Sequence, residues 1–241
     1  MLYLAVCLAS LAGGAVQTVT GFGAGVVLVM ILSRFFDMTA ASSLNTAVCV
    51  ALSASLAWQF RREISWTLLI PPAIPYIITS VLAIRLISSM DMTALAVIFA
   101  LFLMVLSIFF LFFEKRVHLS GSYPTAIVCG GISGIFAGLF GVGGPLMALY
   151  FLTVTSHRAT YVGTIQFFFL LTNLISLATR FTEGLYGASL FPATVIGIAG
   201  IIAGKWLGLR IAEKMDGEKL KKIIYIFVGI SGAVTLIQQI F

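Results

Sequence analysis

The chain has 241 residues, of which 61% are hydrophobic and only 9% are charged. A soluble domain carries about 25% charged residues, so this chain has too few polar side chains to cover a water-soluble globule. The net charge of +6 comes from short loops between apolar runs, where it indicates membrane topology and not nucleic-acid binding. The three cysteines lie singly inside apolar runs, so we expect neither a metal site nor a disulfide framework. The composition predicts an all-α polytopic membrane protein without a soluble domain.

Charged residues and prolines divide the chain into eight apolar segments. In chain order these cover residues 2–36, 38–59, 64–87, 92–113, 122–155, 159–179, 186–211 and 222–241. A membrane-spanning helix uses about 20 residues, so the first and fifth segments are too long for one span. Both contain glycine clusters that interrupt a helix. The sequence therefore predicts roughly eight to ten membrane helical segments, two of them broken by glycine.

The two halves of the chain resemble each other. Residues that match 118 positions apart are Phe22 and Phe140, Gly23 and Gly141, Gly25 and Gly143, Thr46 and Thr164, and Arg62 and Arg180. A further run has five identities in fourteen positions and begins at Leu82 and at Leu207. Many transporters contain such repeats. We predict one integral membrane domain made of two homologous repeats, residues 1–115 and 116–241.

The distribution of Lys and Arg favours inverted repeats over parallel ones. If each glycine-broken segment crosses the membrane once, the copies are parallel and the basic loops lie on conflicting sides. If each broken segment is re-entrant, the copies are inverted. Eleven Lys and Arg residues then share one side, and only Arg34, Arg85 and Arg180, taken as loop residues, lie on the other. Because cytoplasmic loops collect basic residues, we expect inverted repeats with the basic loops in the cytoplasm.

Glycine occurs in two different patterns in the apolar segments. The ladders Gly130-x3-Gly134-x3-Gly138 and Gly200-x3-Gly204-x3-Gly208 are typical of close helix packing. The clusters at residues 21–25 and 138–145 instead undo a helix, which is tolerated at membrane depth only inside protein or beside a wet cavity. A helix that restarts after such a break points free N–H groups and the positive end of its dipole into that cavity. Two such breaks predict an anion site near the membrane midplane.

Polar residues inside the apolar segments extend this hypothesis. Gln17, Thr18, Thr20 and Asn173 belong to this group, although each could simply hydrogen-bond a neighbouring helix. The predicted substrate-binding residues are Gly21, Gly23, Gly25, Asn45, Thr46, Gly141, Gly143, Gly144, Pro145, Thr164 and Gln166.

Several classes of chemistry lack support in the sequence. All Asp, Glu and His residues fall at segment ends or in loops, whereas proton-driven pumps carry such groups inside the membrane. The chain has no Walker motif and no metal-ligand spacing. We therefore expect no catalytic residue, no metal, no cofactor and no enzymatic activity. The expected partners are a small anion and the lipid bilayer, and the sequence is also compatible with a homo-oligomer.

The two-copy glycine pattern resembles the TauE/SafE sulfite exporter family of bacterial inner-membrane permeases. The resemblance rests on residues 21–25 and on residues 138–145, of which the second group is closer to the family pattern. It implies a multi-pass protein of the bacterial cytoplasmic membrane that moves sulfite, a sulfonate or a related organic anion. Our leading hypothesis is a secondary transporter that exports such an anion. The alternatives are an anion channel, a cation-coupled anion importer and a membrane scaffold without transport.

Overall fold

The computed structural model describes residues 2–87, 89–113 and 121–214, together with residue 233. These residues form helices and no strand. The helices are α1 (Leu2–Thr20), α2 (Ala24–Leu32), α3 (Met38–Gln59), α4 (Trp66–Ile87), α5 (Met92–Ile108), α6 (Tyr123–Phe140), α7 (Gly144–Val154), α8 (Arg158–Thr182) and α9 (Phe191–Lys214). Short 3-10 turns lie at Arg61–Glu63 and Ala188–Leu190, and a π-helical turn at Phe109–Phe113. The predicted segment 222–241 and the Lys115–Arg116 loop lie outside the described residues, apart from residue 233.

Six helical stretches in the described part of the chain are long and apolar enough to cross a membrane. They are α1, α3, α4, α6, α8 and the stretch Ala188–Ile211 that includes most of α9. Two further apolar helical stretches are shorter. One is Thr93–Ile108 within α5, and the other is the whole of α7. The architecture is therefore that of an all-helical polytopic membrane protein, while the count of eight to ten segments stays a prediction.

The outer face of α4 presents a continuous apolar stripe. Its members are every fourth residue from Ile70 to Leu86, and each is more than half exposed: Ile70, Ile74, Ile78, Leu82 and Leu86. Residues four apart lie on the same face of a helix. Such a surface is unfavourable in water but matches lipid tails, so this face of α4 is suited to the bilayer.

Both predicted helix interruptions are confirmed. The break between α1 and α2 contains Gly21 and Gly23, with φ angles of 87° and 103°. The break between α6 and α7 contains Gly141, with a φ angle of 69°. All three lie in the left-handed region, which glycine enters without a steric penalty. The local sequence thus explains why each helix stops where it does.

The two glycine ladders lie in the interfaces of two helix pairs. The α6 ladder packs on α4 and the α9 ladder packs on α1. A Cβ atom on any ladder glycine would lie within 3 Å of facing backbone, so only glycine permits this approach. The predicted packing role of both ladders is therefore confirmed. Successive ladder glycines face successively later residues, 72 to 80 of α4 and 7 to 15 of α1. The helices of each pair are accordingly parallel.

Further contacts set the directions of the other long helices. Helix α3 is antiparallel to α8 and parallel to α9, while α4 is parallel to α8. Consequently α1, α3 and α9 run in one direction, and α4, α6 and α8 run in the other. The contacts are Ser42 with Arg180 and Phe60 with Gly163 (α3 and α8), Val48 with Gly197 and Ser55 with Lys205 (α3 and α9), and Ser65 with Thr164 and Ser80 with Ser176 (α4 and α8).

Candidate functional site

The two helix breaks meet around a small cavity, which we call the central cavity. Its volume is ≈ 30 Å³, so it is small but large enough to admit water. The breaks touch directly, because a Cβ on Gly25 would lie 2.9 Å from the carbonyl oxygen of Gly141. On the other side, Phe22 lies against Gly144. Residues far apart in the chain therefore form one compact site between the two halves.

Two helix N-termini line the central cavity. Gly25 and Val26 belong to the first turn of α2, and Gly144 and Pro145 to the first turn of α7. The N-cap residue of each helix is a glycine that supplies no side-chain hydrogen bond. The first turn of a helix leaves backbone N–H groups without intrahelical partners, and the dipole adds positive potential there. The site is therefore electrostatically suited to a negatively charged ligand.

The first break is held by side chains of α8, a set we call the α8 clasp. Gln166 Nε2 donates to the Gly21 carbonyl at 2.8 Å, and Gln17 Nε2 donates to Gln166 Oε1 at 3.0 Å. Tyr161 Oη donates to the Thr20 carbonyl at 3.2 Å. These bonds satisfy carbonyl groups that lose helical partners at the break, a requirement for buried backbone.

The second break is held by Asn45 of α3 and Arg180 of α8. Asn45 Nδ2 donates to the Gly141 carbonyl at 2.9 Å. Arg180 is fully buried, and its guanidinium donates to the Gly138 carbonyl at 2.6 Å and to Ser42 Oγ at 2.8 Å. The C-terminal carbonyls of α6 carry the negative end of its dipole, so they stabilise this cation.

The position of Arg180 corrects the sequence analysis, which counted it among the loop residues of the less basic side. Helix α8 runs to Thr182 and places Arg180 inside the protein, at 0% exposure. The physical reason is that α6 ends beside this turn of α8 and offers carbonyl oxygens to the guanidinium. Arg180 forms no ion pair with a described residue; the ion pair that the described residues do contain joins Arg85 to Glu183.

A protein-family model described as "Sulfite exporter TauE/SafE" matches residues 6–235. The chain belongs to the TauE/SafE sulfite exporter family. It is also similar to the "Probable membrane transporter protein MJ0441" of Methanocaldococcus jannaschii, with 27% identity over 248 residues. That match covers 93% of this chain and 91% of the relative. No solved structure matches the chain. This TauE/SafE protein is accordingly a multi-pass membrane transporter and not an enzyme.

The residues predicted to bind substrate in this TauE/SafE protein fall into three groups. Those that line the central cavity are Gly23, Gly25, Gly141, Gly143, Gly144 and Pro145. Gly21, Asn45, Thr46 and Gln166 lie next to the breaks and hold or adjoin their backbone. Thr164 does not line the cavity; its hydroxyl instead accepts a hydrogen bond from the Ser65 N–H at 3.0 Å. The expected symmetry between Thr46 and Thr164 is therefore absent from their surroundings.

Other residues that line the central cavity lie outside the predicted substrate-binding set. They are Gln17, Val26, Cys49, Tyr76, Val142, Phe169 and Asn173. Gln17 and Asn173 had a signal, since each is a polar residue within an apolar segment. Tyr76 had none: an amphipathic aromatic residue in a membrane helix is equally suited to a lipid interface. Its burial, at 3% exposure, depends on how α4 packs.

Proposed function

We propose that this TauE/SafE protein is a secondary transporter that exports a small sulfur-containing anion, namely sulfite, a sulfonate or a related organic anion. The observation that carries the proposal is the convergence of two uncapped helix N-termini on one small cavity. We further propose the bacterial cytoplasmic membrane as its location. The family's description names sulfite export, which agrees with an anion site.

The chemistry of the cavity lining supports an oxyanion as substrate. Besides backbone N–H groups, the lining includes the side-chain amides of Gln17 and Asn173 and the hydroxyl of Tyr76. Each of these groups is able to donate a hydrogen bond to an oxygen atom. No carboxylate belongs to the described lining, so no side chain there carries a full negative charge. The small volume favours a compact anion over a bulky one.

We also propose that residues 1–115 and 116–241 form inverted repeats. Helices α1, α3 and α4 then correspond to α6, α8 and α9. The directions derived above support this assignment, because each helix is antiparallel to its counterpart. Exchanging the copies also converts the parallel α1–α9 pair into the parallel α6–α4 pair. On this assignment the exposed Arg61 and Arg62 lie at the same end of the protein as Arg158.

Export of an anion needs no coupling ion. An anion that leaves a negative-inside cell gains about 2.3 kcal/mol per charge per 100 mV. A dianion such as sulfite gains roughly 4.6 kcal/mol per 100 mV, which shifts its equilibrium distribution across the membrane by about three powers of ten. The described acidic side chains support uncoupled transport, because they lie outside the spans: Asp37 and Asp91 are N-caps, and Glu63 and Glu183 lie in turns.

The test is anion flux in proteoliposomes with an imposed K⁺-diffusion potential. Purified protein is first screened for binding of sulfite, thiosulfate, sulfate and short sulfonates. We expect saturable flux, counterflow and a rate that follows the potential. A large unsaturable current would indicate a channel. A rate that ignores the potential but rises with a pH or Na⁺ gradient would indicate a cation-coupled importer. Absence of flux would indicate a scaffold, and each of these three results contradicts the proposal.

A further inference from the structure

A second cavity opens beside the first helix break, and we call it the vestibule. Its volume is ≈ 340 Å³, more than ten times that of the central cavity. It lies where α7 ends and α8 begins, and its lining includes Ser156, His157 and Arg158, all of them exposed. No carboxylate belongs to the part of its lining that the structure describes. The vestibule is thus a roomy, positively charged cavity that solvent reaches.

The α8 clasp links the linings of the vestibule and the central cavity. Thr20, Gly21 and Tyr161 line the vestibule, while Gln17, one helical turn before Gly21, lines the central cavity. Gln166 bonds both Gln17 and the Gly21 carbonyl. The Gln166 side chain therefore links a residue that lines the central cavity to a residue that lines the vestibule.

The hydrogen-bond donors of the vestibule define the ligand class. The hydroxyls of Thr155 and Tyr161 already donate to backbone carbonyls, those of Phe151 and Thr20. Among the described lining residues, Ser156, His157 and Arg158 are exposed, and their side chains can donate hydrogen bonds to a ligand. A guanidinium binds carboxylate-like and phosphate-like oxyanions through paired hydrogen bonds. The donor set fits a small oxyanion such as a sulfonate.

We propose that the vestibule is a second anion-binding site, which captures the substrate before it passes the α8 clasp. Its role as a loading site rests on the proposed transport function, whereas anion binding in the vestibule does not. A charged vestibule raises the local concentration of an oppositely charged substrate and speeds its association. Arg158 supplies the positive charge, and the bound anion lies beside Ser156.

Thiol modification tests anion binding without any transport measurement. Ser156→Cys is made in the full chain with the three native cysteines replaced by alanine, and its rate of modification by N-ethylmaleimide is measured. We expect methanesulfonate to slow this rate at least threefold and its uncharged analogue dimethyl sulfone to leave it unchanged. A cysteine at Glu63, which is exposed outside the vestibule, serves as the control and should show no protection. Equal effects of the two compounds, or no protection, would refute the site.

Removing the positive charge identifies the residue that holds the anion. We expect Arg158→Gln to raise the half-protecting methanesulfonate concentration about tenfold, equivalent to ~1.4 kcal/mol. Arg62→Gln removes an exposed positive charge elsewhere in the chain and should leave that concentration unchanged. Protection that is equally strong in both variants would show that Arg158 does not bind the anion.

Flux measurements separate this inference from the proposed function. In proteoliposomes, Arg158→Gln should raise the half-saturating substrate concentration about tenfold for entry from the vestibule side and leave entry from the other side unchanged. Saturable flux without cysteine protection would uphold the proposed function and overturn the vestibule site. Cysteine protection without flux would uphold the vestibule site and overturn the proposed function.

Discussion

Replacing Gly143 with alanine inserts a methyl group where three helices meet. A Cβ on Gly143 would lie 2.6 Å from the Ser133 carbonyl oxygen and 2.8 Å from Ala137 Cβ, and it would also contact Tyr76 Oη. Ordinary contact begins at 3.4 Å, so the first turn of α7 must retreat by roughly 0.8 Å. The φ angle of Gly143 is −104°, which any residue adopts, so the effect is purely steric.

Overpacking of this kind costs about 1–3 kcal/mol. If that energy is lost from the substrate-binding arrangement of α7, transport falls by about fivefold to 150-fold. A larger side chain increases the clash, so we expect Gly143→Leu to abolish transport. Gly131→Ala is the matched control, because its Cβ meets only Thr79 Cγ2 at 3.9 Å, and Gly131 is not part of the described cavity lining.

The assay is the initial rate of counterflow in proteoliposomes, normalised to the amount of monodisperse protein. A thermal-unfolding measurement on the same samples separates loss of transport from loss of fold. Gly131→Ala should transport at the wild-type rate and be at least as stable, since alanine favours a helix by about 1 kcal/mol over glycine. Folded Gly143→Leu protein with wild-type transport would show that Gly143 serves packing alone and would refute the assigned site.

Three further predictions follow from the described contacts and the proposed topology. Arg180→Gln should lower the unfolding temperature in a thermal-shift assay, because charge-assisted hydrogen bonds worth about 1.5–3 kcal/mol each are lost; unchanged stability would contradict the buried placement. Asn45→Asp should weaken substrate binding at least tenfold in a titration. The new carboxylate cannot donate to the Gly141 carbonyl as the amide does, and it repels an anion. Wild-type affinity in this variant would contradict an anion site at the second break. Cysteines at positions 62 and 219 should be labelled from the same membrane face, and labelling from opposite faces would exclude inverted repeats.

Properties that depend on local sequence were predictable. Hydropathy and segment length determine which stretches prefer lipid, and six described helical stretches have the required length and composition. The breaks were also predictable, because Gly21, Gly23 and Gly141 adopt left-handed φ angles that other residues avoid. The ladder spacing of Gly130, Gly134 and Gly138 is likewise a local pattern that predicts a close helix approach.

Properties that depend on which helix packs beside which were not predictable. Arg62 and Arg180 match between the repeats, yet Arg62 is exposed and Arg180 is fully buried. The difference arises because the carbonyls that bind Arg180 belong to α6, about forty residues earlier in the chain. In the same way, Thr46 adjoins the second break while its counterpart Thr164 bonds the start of α4. The sequence by itself determined a membrane-embedded, glycine-broken helical chain. Only the tertiary structure decided which polar side chains meet at the breaks, because a helix presents residues in every direction and its neighbours select the buried face.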